Sequence, residues 1–126
     1  MQVLDVLPVI MYIIKLHNID NIVKFTLLIL FNSIVNMITK NILKQPRPTN
    51  NSFSFDKYGM PSGHAQAVWF MVFYNLNKSS NRQNTLLITL AFVSCAQRIY
   101  TNKHTLEQVL VGSLIGSIFG LLASNM

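Results

Sequence analysis

Apolar residues run along this chain in long blocks, and polar residues collect in the gaps between them. Residues 22–43 are apolar with few breaks. About 20 such residues in a helix cross the hydrocarbon of a bilayer, so this block predicts a spanning helix. Asn32, Ser33 and Asn36 lie inside it and are expected to turn toward neighbouring helices. Residues 3–16 form a shorter block that predicts an interfacial or tilted helix, and 17–21 read as a turn. Pro46, Pro48, the Asn50-Asn51-Ser52 cluster and Gly59 mark 44–60 as a loop. A helix is then expected from Ser62 to about residue 76, carrying Trp69 and Tyr74, residue types that suit a membrane interface. A polar loop at 77–84, a helix over 85–100, a tight turn at 101–103 and a helix over 105–123 complete the pattern. The last helix carries Gly112, Gly116 and Gly120 at a spacing of four, a small-residue face that fits close packing, including helix-mediated association of copies.

These elements predict an all-α protein: an integral membrane helical bundle with about four spanning helices plus a short N-terminal helix, in a single domain over 1–126. Composition agrees. Hydrophobic residues make up 51% of the chain and charged residues 11%, against roughly 25% charged in an ordinary soluble domain. The bilayer is therefore an expected partner. The net charge of +6 raises the question of nucleic acid. There is no basic helix and no aromatic-basic repeat, and the cations are spread among loops, so no nucleic-acid partner is expected. An anionic small substrate or lipid headgroups account for them better. The single cysteine, Cys95, cannot form an intramolecular disulfide and reads as a small core residue. The first residues lack a basic leader and a small-residue cleavage site, so no signal peptide is expected.

Three polar blocks interrupt the apolar pattern: Lys40 with Arg47-Pro48, then Pro61-Ser62-Gly63-His64, then Arg98 with His104. Each lies at the end of a predicted helix, and in an up-down bundle all fall on one face. A phosphoryl group in transfer is anionic, and its catalysis rests on positioning and charge stabilisation. Lys40, Arg47 and Arg98 could clamp its oxygens, the arginines in bidentate fashion. Ser62 and Gly63 at a helix start offer backbone N–H groups to an anion, and Ser62 also reads as an N-cap. His64 and His104 could attack phosphorus or donate a proton near neutral pH. No Cys or Asp cluster accompanies them, so neither a metal site nor a cofactor is expected. His17 lies in the opposite loop and receives no role.

These blocks resemble those of the type 2 phosphatidic acid phosphatase superfamily, also called the lipid phosphate phosphatase and haloperoxidase superfamily. The resemblance runs over 40–112. It implies a helical membrane bundle and metal-free hydrolysis through a phosphohistidine. It further implies that His104 is the nucleophile, that His64 is the acid, and that Lys40, Arg47, Ser62, Gly63 and Arg98 hold the phosphoryl oxygens. Where that superfamily usually has an aspartate four residues after the nucleophile, this chain has Gln108. One helical turn beyond His104, Gln108 is expected to accept a hydrogen bond from the ring, with Glu107 as the alternative. Gln97 stands where a serine usually precedes the third-block arginine. The runs Lys44-Gln45-Pro46-Arg47-Pro48, 58–66 and 104–112 are similar to the dolichyl diphosphatase subgroup, whose pattern also carries that glutamine.

The subgroup resemblance implies hydrolysis of dolichyl (polyprenyl) diphosphate to the monophosphate and inorganic phosphate, at the lumenal face of the endoplasmic reticulum membrane. The chain is short for that subgroup, so elements before residue 22 and after 126 are expected to be trimmed. Two other readings stand beside it: a broader lipid phosphatase acting on phosphatidate-type monoesters, and an inactive membrane protein that keeps a headgroup pocket. Lys15, Lys24, Lys78 and Arg82 lie on the face opposite the three blocks, against Lys44, Lys57 and Lys103 beside them. By the positive-inside rule this leans toward a site facing away from the cytoplasm.

Overall fold

Among the described residues, five α-helices run alternately up and down. The computed structural model describes residues 3–16, 21–46, 48 and 58–126. A 3-10 turn at Val3–Val6 leads into α1 (Leu7–Leu16), followed by α2 (Ile22–Leu43), α3 (Gly63–Asn75), α4 (Asn81–Tyr100) and α5 (Leu106–Ser124). Among the described residues the only β contact is an isolated antiparallel bridge between Pro46 and Tyr58. The lower end of the bundle is closed by lysines. Lys15 donates to Ser79 and to Gln83 (3.1 Å), Lys78 to the Ser124 carbonyl (3.0 Å), and Lys24 to the Met126 carbonyl. The upper end holds Lys40, His64, Arg98 and Gln108.

Helix α3 is the axis of the bundle and touches all four other helices. Its sequence is apolar on every side, as a helix enclosed by others requires. Phe25 of α2 stacks on Tyr74, and Tyr74 stacks on Phe70, with ring centroids 5.3 and 5.8 Å apart. Tyr74 is therefore core and not an interface anchor, contrary to the expectation from its residue type. At 13 residues α3 is about 20 Å long, short of the roughly 30 Å of hydrocarbon. Two described helices have the length and composition to cross a membrane, α2 with 22 residues and α5 with 19. Four spanning helices were expected from the sequence. The polar start of α4 and the shortness of α3 separate those two from the pair that qualifies. Leu27, Leu30, Ile34 and Ile38 of α2 and Leu110, Leu114 and Ile118 of α5 are exposed. An apolar surface of that extent marks contact with lipid or protein.

Two devices join the helices. The first is a polar ladder between α2 and α3. Gln66 donates to the Asn32 side chain (2.9 Å) and carbonyl (3.0 Å), while Asn36 donates to Gln66 Oε1 (2.9 Å) and the Pro61 carbonyl (3.1 Å). Asn32 and Asn36 thus face a neighbour as their positions implied; Ser33 is exposed and returns its hydroxyl to the Ile29 carbonyl. The second is the close approach of α5 to α3. A Cβ on Gly112 would sit 2.5 Å from the Ser62 carbonyl oxygen and one on Gly120 2.6 Å from that of Phe70, and one on Gly116 would overlap the Gln66 carbonyl. The glycine face considered for association between copies is filled by α3 of the same chain.

Helix starts follow their caps. Ser62, Ser80 and Thr105 each accept a bond from the third residue on, and Thr105 with Gln108 forms a full capping box. Ser80 explains why α4 begins at Asn81, four residues before the expected start. The first turn, Asn81 to Asn84, is polar enough to read as loop, yet it is capped and held by Lys15.

Gly116→Ala tests the α3–α5 contact. In an exposed helix that change gains about 1 kcal/mol. Here the added methyl meets backbone, so it should cost about 1–3 kcal/mol. The check is the thermal unfolding midpoint in detergent, which should fall.

Candidate active site

The residues singled out in the sequence form a chain of contacts across the upper end. Lys40 is buried in the last turn of α2. A Cβ added to Gly63 would lie 3.7 Å from Lys40 Nζ and 3.3 Å from Asn36 Oδ1, so the lysine head rests against the bare backbone that opens α3. Lys40, Gly63, Asn36, Gln66 and Asn32 line a groove of about 380 Å³ that runs down α2 from this point. Ser62 caps α3 through its side chain, accepting from Ala65 N at 3.3 Å. Its own N–H donates to the Gln108 carbonyl at 3.0 Å, so that donor is committed to α5 instead of an anion. The N–H groups of Gly63 and His64 open the helix and have no acceptor within it. Arg47 lies outside the described residues.

Asp5 joins the next pair. Its carboxylate lies 3.2 Å from Arg98 Nη1 and accepts from Gln97 Nε2 at 2.7 Å. Its backbone carbonyl lies 2.7 Å from His64 Nε2. A carbonyl only accepts, so Nε2 of His64 bears a hydrogen. Burial first, and then the Arg98 charge, push the His64 pKa below its ordinary value, with the Asp5 carbonyl acting weakly the other way. His64 sits in the first turn of α3, at the polar end and outside the two spanning helices. Its surroundings therefore favour the neutral ring.

Arg98, buried near the end of α4, also fixes the turn that follows. Its carbonyl accepts from Lys103 N (3.0 Å) and His104 N (3.3 Å). Asn102 turns the chain there with φ 57°, in the left-handed region that asparagine tolerates. His104 is buried, and its Nδ1 lies 3.0 Å from the Gly59 carbonyl oxygen. The same argument places a hydrogen on Nδ1. Gln108 was expected to receive the ring N–H. Its side chain instead donates to Gln45 Oε1 (2.8 Å) and the Pro46 carbonyl (3.0 Å) and accepts from Thr105 N (3.0 Å). Glu107, the alternative, is exposed. Among the described residues no group of three or more His, Cys, Asp or Glu comes together.

Three partners were missed in the sequence: Asp5, Gly59 and Gln45. Asp5 sits in an apolar block with no motif around it. Gly59 acts through its carbonyl, which no residue type reveals. Gln45 was within a recognised run but assigned nothing.

Fold and site together define, among the described residues, a helical bundle with two helices of spanning length and with histidines and buried basic side chains gathered at one polar end. The PAP2 superfamily pattern matches residues 21–126, and the chain belongs to that superfamily. It is 37% identical over 110 residues to the dolichyldiphosphatase of Saccharomyces cerevisiae, covering 74% of this chain and 46% of that protein. It is 29% identical over 109 residues to dolichyldiphosphatase 1 of Homo sapiens, covering 71% and 46%. It is 34% identical over 104 residues to lipid phosphate phosphatase epsilon 1, chloroplastic, of Arabidopsis thaliana, covering 75% and 37%. The chain thus spans less than half the length of these relatives. No solved structure matches it. The 3-10 turn and α1, which supply Asp5, precede the matched region.

Asp5→Asn keeps the shape and removes a negative charge beside Arg98. One charge at close range is worth about 1–4 kcal/mol at a protein surface. Inorganic phosphate should therefore bind the detergent-solubilised variant about tenfold more tightly, read by titration calorimetry at low ionic strength.

Proposed function

We propose that this chain is a phosphohydrolase core acting on a polyprenyl (dolichyl) diphosphate at a membrane surface, releasing inorganic phosphate and leaving the lipid monophosphate. The observation that carries this reading is the convergence of Lys40, Gly63, His64, Arg98 and His104, from three helices and a turn, in a chain of the PAP2 superfamily. The names of the yeast and human relatives favour the diphosphate.

In this reading His104 Nε2 attacks the terminal phosphorus and the bond to the bridging oxygen breaks. The bound anion raises the His64 pKa, so the ring takes up a second proton on Nδ1 and gives it to that oxygen as the lipid monophosphate leaves. Water then bonds to phosphorus and passes a proton back to His64, the P–N bond breaks with its electron pair returning to the His104 imidazole, and inorganic phosphate departs. Lys40, Arg98, Arg47 and the N–H groups at the start of α3 hold the phosphoryl oxygens throughout. The positive charge comes from side chains, so no metal ion and no cofactor enter the scheme. The groove beside Lys40 suits the lipid nearest the headgroup. In this reading the membrane is that of the endoplasmic reticulum with the site on its lumenal face, which follows the resemblance to the dolichyl diphosphatase subgroup and, for the face, the balance of basic residues between the two ends.

A broader lipid monoester phosphatase is the second reading, favoured by the name of the Arabidopsis relative. One assay separates the two: phosphate release by the purified protein from polyprenyl diphosphate and from phosphatidate, with chelator present. The diphosphate should be preferred at least tenfold in kcat/KM. Equal rates favour the broader enzyme, and no release from either would end both.

A further inference from the structure

We infer that Gln108 is a positioning residue that orients the His104 ring at one remove, through the Gly59 carbonyl. The inference deepens the proposed function and rests on it for the identity of His104 as nucleophile. It starts from the bond that a ring needs in order to be held. His104 Nδ1 meets the Gly59 carbonyl at 3.0 Å in a buried setting. Holding Nδ1–H fixes both the tautomer and the direction of Nε2. A backbone carbonyl can do this only if its own peptide is held.

The residue that bears the carbonyl is held on several sides. Gly59 N donates to the Gln45 carbonyl at 2.7 Å, and next to it Tyr58 bridges Pro46. These contacts tie the two ends of the loop into a short strap over the start of α5. Gln108 grips the strap with both amide hydrogens, one to Gln45 Oε1 and one to the Pro46 carbonyl. Its amide oxygen is anchored by Thr105 N in the capping box, so the grip is referred to the same helix start that follows His104. Its main-chain carbonyl takes Ser62 N and brings in the second polar block. All three blocks are thus registered against one residue that is 1% exposed.

Gly59 leaves the space that the Gln108 amide fills. A Cβ there would lie 2.5 Å from Gln108 Oε1. The departure from aspartate also follows. A carboxylate at 108 has acceptors only, and it would face Gln45 Oε1 and the Pro46 carbonyl, two further acceptors. The strap needs a donor there, and glutamine supplies two. The ring then takes its partner from the strap.

The test uses the whole chain in detergent. Gln108→Glu keeps the shape and replaces the donors with acceptors. It should lower kcat by about 10- to 100-fold, the scale of a slight misplacement of a reacting group, with KM changed less than about twofold. Gly59→Ala should do the same. The Gly59→Ala/Gln108→Ala pair should lose no more than the worse single variant, because both act through one contact. A second readout needs no turnover. Histidine ¹⁵N spectra of the unaltered protein, with His104 assigned from the spectrum of His104→Asn, should show the neutral ring protonated at Nδ1. Full kcat in Gln108→Glu, a change confined to KM, or a ring protonated at Nε2 would each overturn the inference. If the unaltered protein hydrolyses no lipid phosphate, the functional reading fails while the ¹⁵N result still decides this one.

Discussion

The contact on which the site depends is the backbone-to-backbone approach of α3 and α5. Gly112, Gly116 and Gly120 remove the side chains that would hold the helices apart, and the Ser62 N–H then reaches the Gln108 carbonyl. That single bond sets the start of one helix against the start of another. His64 follows Ser62 by two residues and His104 precedes Gln108 by four, so the two histidines inherit their register from it. In lipid, where apolar faces gain nothing by leaving the acyl chains for one another, such close van der Waals contact and interhelical hydrogen bonding are what hold a bundle together. The Asn32–Gln66–Asn36 ladder does the corresponding work between α3 and α2, and it places Lys40 above Gly63.

Charge at the upper end is arranged with little slack. Lys40 and Arg98 are buried, and His64 is pushed toward its neutral form by burial and by Arg98. The Asp5 carboxylate offsets part of the positive potential, and its carbonyl holds the Nε2–H of His64, which leaves Nδ1 as the nitrogen to take up a proton. An incoming phosphate anion would relieve the same field that keeps His64 neutral.

Much of this was legible in the sequence. The boundaries of α2 follow from an apolar block of spanning length, and those of α3 and α5 follow from Ser62 and the Thr105–Gln108 box. Lys40, His64, Arg98 and His104 gather at one end because each borders a helix in an alternating bundle. What was not legible has physical causes. Hydropathy reads the polar first turn of α4 as loop, because Ser80 and Lys15 stabilise it through hydrogen bonds that hydropathy does not weigh. Residue type placed Tyr74 at an interface, whereas α3 is enclosed on every side. Asp5 enters from a segment before the matched region. Gln108 sits where expected, yet its bonds run to Gln45 and Pro46, because the ring is served by a carbonyl that carries no signature in the residue alphabet.

The central claim is that His104 carries the phosphoryl group covalently. The direct measurement is a rapid quench of the purified protein with polyprenyl diphosphate labelled in its terminal phosphate, followed by mapping of any labelled residue. A phosphohistidine route predicts label on His104 that survives alkali, is lost in acid, and is absent from His104→Ala. Turnover of the substrate with no labelled protein at any time, or with label retained in His104→Ala, would contradict it.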